Sequence, residues 1–178
     1  IFLNASTIGT TSILLNSVSD AFPDGLGNSS GQVGHNLMDH HYRVGATGNY
    51  DGFKDQYTSG RRANGIYIPR FRNLDDKSKQ KDYVRGFGYQ GSASRGRFEG
   101  SEKIGIELKQ EAASLGEWGM WLGSWGEQLP NYDNKVSLNK EKKDKWGMPL
   151  VDIDCEFKDN EWAMRKDMMN SAAEMLDS

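Results

Sequence analysis

The three histidines of this 178-residue chain fall close together, at His35, His40 and His41, in the stretch VGHNLMDHHYRV. With Asp39 beside them, the residue types are those of a metal site. The spacing argues against one. Adjacent residues splay apart outside a helix, no two histidines stand four apart, and no second cluster supplies the remaining ligands. The competing role is structural, with Asp39 or His40 hydrogen-bonding to nearby backbone, and no metal is expected. Gly86 to Gly91, GFGYQG, matches the Gly-x-Gly-x-x-Gly of dinucleotide-binding turns. That turn needs a helix directly behind it, so that the phosphate meets the helix N-terminus. The following SASRGRFEGSEK has no apolar residues at helical spacing, so the match is read as accidental. Cys155 is the only cysteine, which excludes an internal disulfide and a cysteine zinc site, and nothing near it in sequence activates a thiol. A Gly-x-Ser-x-Gly nucleophile turn is absent.

Two aromatic groupings remain. From Arg61 to Phe87, basic and aromatic side chains interleave, as on a single-strand nucleic-acid surface. Asp75, Asp76 and Asp82 interrupt the run and the chain carries a net charge of −3, which favours solvated strands and no nucleic-acid partner. Trp118, Trp121 and Trp125 could stack on the C–H faces of a sugar, or simply pack a sheet core. Taken alone, these residues specify no reaction.

The elements that must position them are mostly strands. Twenty-one glycines and 11% aromatics suit a β-rich domain with tight turns. Thr10-Thr11-Ser12 offers cap hydroxyls to a short helix beginning near Thr10. Ile1-Phe2-Leu3 reads as the tail of a strand, and residues 19–34 as loop. Tyr42–Tyr50 and Gly65–Pro69 read as strands, with the polar Asp51–Asn64 between them and a charged turn at 75–82. Asp82–Tyr89, Ile104–Leu108, Val136–Leu138 and Pro149–Phe157 complete the alternating segments. In EWGMWLGSWGEQL (117–129) the tryptophans have helical spacing, but three glycines each cost a helix about 1 kcal/mol, so a strand is predicted. Trp121 and Trp125 then share one face and Trp118 takes the other. Asp159-Asn160-Glu161 caps a closing helix whose apolar face holds Trp162, Met168, Met169, Ala172, Met175 and Leu176. The expected class is α+β, a mainly antiparallel sheet of about six or seven strands with helices at the two ends. No apolar run approaches the roughly 20 residues of a membrane span.

The opening STIGTTSILLNS (6–17), followed by VGHNLMDH (33–40), resembles the glucose–methanol–choline family of flavin-dependent oxidoreductases. The first stretch follows that family's second signature, with Thr11 in place of Pro/Ser and Val18 in place of Gly. The second matches its Val-Gly-x-Asn-Leu-x-Asp-His. Further segments, GIYIPRFRN (65–73), RGFGYQG (85–91), GEQLPNYDNKVSLN (126–139) and DKWGMPLVDIDCEF (144–157), are similar to the bacterial sugar-oxidising branch. The resemblance implies an internal fragment of a longer enzyme, with residues 1–18 as a remnant strand and helix of the FAD-binding domain and 19–178 as the substrate-binding domain. It implies hydride transfer from a CH–OH group of a sugar or polyol to FAD. The catalytic histidine is expected downstream, outside this chain, and the isolated fragment is expected to be inactive and to hold no FAD.

By motif position, Ala5, Ser6, Thr7, Ile8 and Gly9 approach the cofactor through backbone, while Asn36, Asp39 and His40 shape the loop beside the flavin. Trp121 and Trp125 are the expected substrate contacts. The implied partners are the sugar or polyol, the FAD-binding domain of the same polypeptide and an electron-acceptor protein; periplasm and cytoplasm both stay open. The competing reading is a free-standing carbohydrate-binding module using Trp118, Trp121 and Trp125.

Overall fold

In a computed structural model the described residues are 2–56, 65–96 and 100–178. They form α1 (Ser6–Asn16), β1 (His40–Tyr50), β2 (Gly65–Ile68), β3 (Phe87–Arg95), α2 (Ile106–Ala113), β4 (Trp118–Glu127), β5 (Lys135–Lys143), β6 (Pro149–Asp154) and α3 (Asp159–Asp177). The class is α+β with antiparallel strands and helices near both ends. The six strands divide into a four-stranded sheet of order β1-β4-β3-β2 and a β5-β6 hairpin. The chain makes two compact units, His40–Glu127 with Asp159–Ser178, and Ile1–Asp39 with Gln128–Lys158.

The first of these units is built by α3 covering one face of the four-stranded sheet. Strand alternation puts His41, Val44 and Ala46 of β1 on that face, with Leu122, Ser124 and Gly126 of β4 and Phe87 and Tyr89 of β3. Against them α3 presents Met164, Met168 and Ala172, all fully buried and at i, i+4, i+8 spacing. Gly126 leaves the room that the tips of Met164 and Met168 occupy. Hydrogen bonds fix the helix at its flank. Arg72 donates two to the Asp167 carboxylate (2.9 and 3.1 Å), Tyr83 adds a third at 2.5 Å, and Ser171 a fourth at 2.8 Å. Burial alone would push the Asp167 carboxyl up, but these donors outweigh it and hold the group below the usual carboxylate range. Tyr89 reaches across from β3 to donate to the Met168 carbonyl at 2.6 Å.

The second unit packs α1 against β5. Its loop 17–39 is laced to the hairpin by backbone bonds, Val136 N–H to the Gly34 carbonyl and Leu37 N–H to the Asn134 carbonyl. Two buried amide side chains complete the clamp. Gln128 donates to the Glu156 carbonyl and accepts from the Asp39 N–H at 2.8 Å. Asn134 donates to the same Glu156 carbonyl at 3.0 Å and accepts the Glu156 N–H at 3.1 Å.

Several sequence expectations are corrected. Helix α1 begins at Ser6, not near Thr10, because the hydroxyls bond back into the helix instead of capping it. Thr11 Oγ1 donates to the Thr7 carbonyl and Ser17 Oγ to the Ile13 carbonyl. Phe2 to Ala5 form no strand. Asp82–Gly86 is irregular, and the strand starts at Phe87; the Asn73 side chain takes up the Tyr83 and Arg85 carbonyls that a ladder would have used. Ile104–Leu108 does not form a strand. Ile104 precedes the exposed α2, whose IELKQEAA is rich in strong helix formers. In α3 the residues Asp159, Asn160 and Glu161 are helical, and Asn160 Oδ1 accepts from Val84 N–H. Trp162 and Met169 are about half exposed, while Met164 belongs to the buried stripe. Residues 57–64, with Arg61 and Arg62, lie outside the described residues.

His41, fully buried on the covered face, has its pKa pushed down to about 4 by burial, assisted by Arg165 and opposed by Glu161. Below its ordinary value near 6.5 the unfolded chain takes up a proton that the folded chain refuses until about pH 4. Stability therefore falls as pH drops through that window, by up to about 3 kcal/mol. Urea titrations between pH 7 and 4 should show this loss, and His41→Phe should flatten it relative to the unsubstituted chain. In the other unit, Gln128→Ala removes the acceptor of the Asp39 N–H. Amide exchange at Asp39 should quicken about fivefold by NMR, as expected for one lost hydrogen bond of roughly 1 kcal/mol.

Candidate functional site

The face of the four-stranded sheet opposite α3 carries Tyr42, Trp121 and Trp125. The register aligns Tyr42 with Trp125, Thr47 with Trp121 and Ser92 with Trp121, which places Trp121 and Trp125 together on this face, as expected. Trp121 is tied down by its indole N–H, which donates to Ser92 Oγ at 2.8 Å. Trp125 meets Tyr42 edge-on, with ring centroids 6.0 Å apart. Trp121 forms a ridge between two grooves. One, of about 510 Å³, is walled by Arg43 and Thr47; the other, of about 370 Å³, is walled by Tyr67 and Gln90. Their sizes fall within the range of small-molecule sites, roughly 300–1,000 Å³.

The floor of the larger groove is backbone. A Cβ at Gly45 would overlap the Leu122 carbonyl oxygen, and one at Gly123 would come within 2.8 Å of the Trp121 ring. Trp118 is on the α3 side of β4 by alternation. Its indole N–H donates to the Phe53 carbonyl at 3.0 Å, and its ring lines a separate apolar cavity of about 560 Å³ with Tyr50, Phe53 and Met120. The three tryptophans therefore do not make one platform.

Ala5, Ser6, Thr7, Ile8 and Gly9 come together in one turn. Ala5 is the N-cap of α1 and supplies no side-chain cap, so the first-turn N–H groups have no partner from it. Ser6 adopts φ +61°, and a Cβ on Gly9 would lie 3.2 Å from that of Ala5. Asn36 and Asp39 lie on the clamped loop of the same unit. Asn36 has φ +60° and donates to Gln32 Oε1, and the Asp39 N–H is held by Gln128. His40 is the first residue of β1, in the other unit. His35 stacks on Tyr132 at 3.9 Å, with its Nδ1 2.7 Å from the Tyr132 carbonyl oxygen. Among the described residues no group of three or more His, Cys, Asp or Glu is arranged to hold a metal, and no helix is long and apolar enough to cross a membrane.

The basic–aromatic run is partly spent on internal pairs: Arg70 binds Glu127 and Arg72 binds Asp167. Gly86–Gly91 leads into and runs along β3, with strand rather than helix behind it. Sequence reasoning missed Gln128 and Asn134, whose roles depend on partners far along the chain. It also missed Arg43. A signal for it existed: His41 and Val44 both face inward yet stand three apart, where a regular strand allows two or four, so one residue between them must be extra.

No family model matches the chain. It is 29% identical over 182 residues to the 2-methyl-1,2-propanediol dehydrogenase of Mycolicibacterium austroafricanum, covering 92% of this chain and 30% of that protein. It is 28% identical over 151 residues to the fructose dehydrogenase large subunit of Gluconobacter japonicus, covering 84% of this chain and 27% of that subunit. The chain thus spans less than a third of the length of either curated relative. Distant homology to alcohol and sugar dehydrogenases extends over most of this sequence.

Proposed function

We propose that this chain forms the substrate-side wall of a flavin-dependent dehydrogenase that oxidises a CH–OH group of a sugar or polyol. The observation that carries the reading is the open sheet face, where Trp121 and Trp125 stand over a backbone floor on a sheet otherwise packed against α3. Homology to a diol and a fructose dehydrogenase supports the same assignment. In this reading residues 1–18 lend the edge of the FAD-binding domain and 19–178 the substrate-binding domain of a longer polypeptide.

The residues present fit FAD in one respect. The N-terminus of α1 has no side-chain cap and no acidic residue in its first turn, so Ser6 to Gly9 offer backbone N–H groups to an anionic or carbonyl acceptor. Asn36 and Asp39 would shape the loop beside the flavin, with the Asp39 N–H held by Gln128, while His40 opens β1 in the other unit. FAD, when bound, supplies the ring that accepts the hydride. This chain's contribution is to orient the substrate and exclude water. The indoles of Trp121 and Trp125 present flat apolar faces to C–H groups, and Gln90, Ser92 and Thr47 around them offer hydrogen bonds to hydroxyls.

The test compares two polypeptides. The longer polypeptide carrying this segment should bind FAD and be bleached by polyols under anaerobic conditions. Trp121→Ala should lower kcat/KM there at least tenfold, about 1.4 kcal/mol, with flavin content unchanged. The 178-residue chain alone should be colourless. Tight flavin binding or turnover by it would overturn the fragment assignment, and oligosaccharide binding lost in Trp121→Ala without any flavin in the longer polypeptide would favour a carbohydrate-binding module.

A further inference from the structure

Arg43 is the extra residue of the β1 bulge, between Tyr42 and Val44. It sits at φ +53°, a left-handed conformation that strains a non-glycine residue. Bulges re-aim side chains, and here the strain brings Arg43 to the open face and the larger groove. Its guanidinium carbon lies 5.1 Å from the Trp121 ring centroid and 5.6 Å from that of Tyr42. Ring faces hold the cation without using its N–H groups.

Three other arginines of this unit spend theirs on the protein. Arg70 bonds to Glu127, Arg72 to Asp167, and Arg95 to the carbonyls of Lys54, Gln56 and Gly116. Arg43 has no hydrogen-bond or ion-pair partner among the described residues. The groove beside it therefore holds an exposed planar cation whose N–H groups no described residue takes, over a floor that Gly45 and Gly123 keep free of side chains.

We propose that Arg43 makes this face selective for polyhydroxy acids, its guanidinium fork gripping the substrate carboxylate from its seat on the Trp121 ring. The proposal rests on the open face being the substrate wall. A carboxylate matches the fork with two parallel hydrogen bonds, which a terminal alcohol cannot supply. Phosphate oxygens share that chemistry, so a cofactor pyrophosphate is the competing source.

The test follows tryptophan fluorescence and the Arg Nε–H NMR signals of the 178-residue chain titrated with gluconate, with sorbitol (which carries CH2OH in place of the carboxylate) and with inorganic pyrophosphate. Gluconate should bind at least tenfold more tightly than sorbitol and shift the Arg43 signal. Arg43→Gln should bring the two affinities together, and Arg43→Lys should keep part of the preference, as a charge without the fork. Equal affinities for gluconate and sorbitol, both lost in Trp121→Ala, would overturn the role of Arg43 and leave the wall assignment standing. Pyrophosphate binding as tightly as gluconate, with the same Arg43 shift, would reassign the residue to a phosphate and overturn the proposal. No response to either polyol would overturn the proposal and the wall together. Circular dichroism of each variant keeps a folding defect from passing for lost binding.

Discussion

The seating of Met164, Met168 and Ala172 on one face of the four-stranded sheet is the contact on which the rest of that unit depends. A four-stranded sheet has two faces and this unit has one long helix, so covering one face commits the other to something else. The asymmetry is written into composition. The covered face holds Phe87, Tyr89, Leu122 and Val44, whereas the opposite one alternates glycine, serine and threonine with aromatic rings. Side chains that fill space are on one side, and side chains that offer flat surfaces and hydrogen bonds are on the other.

The helix is held in two complementary ways. Apolar burial is non-directional and would tolerate a slide along the sheet. The four hydrogen bonds converging on Asp167 are directional, and they come from the 72–83 loop and from Ser171 of the helix itself. The Tyr89 hydroxyl adds a tether from the middle of the sheet. Together these make the helix position single-valued, and with it the curvature of the strands beneath. In the other unit the loop bearing Asn36 and Asp39 is clamped by backbone bonds, two amide side chains and the stacking of His35 on Tyr132.

Much of this was legible in the chain. Strands β1, β2, β4, β5 and β6 are each legible in the sequence, β6 by its alternation, and the glycines of 117–129 correctly override the helical spacing of its tryptophans. The paired placement of Trp121 and Trp125 followed from period two alone. The failures have local causes. Ile104–Leu108 alternates as a strand would, yet it has no neighbour to pair with, and the strong helix formers after it win. Asp82–Gly86 looked extended, but its carbonyls are claimed by Asn73, a partner invisible to any window of sequence. The start of α1 was displaced because threonine hydroxyls serve equally as caps and as internal acceptor-seekers. Arg43 was overlooked because a bulge interrupts the periodicity by which strands are recognised.

The glycine floor of the larger groove has an evolutionary consequence. Gly45 and Gly123 admit no side chain, since one would overlap a strand carbonyl and the other would displace an indole. Point substitution at these positions cannot tailor the groove by adding a group from below. A change of shape in this groove must then come from its rim, at Arg43 and Thr47. Ligand preference can drift quickly on such a scaffold without touching the strand pairing that keeps it folded.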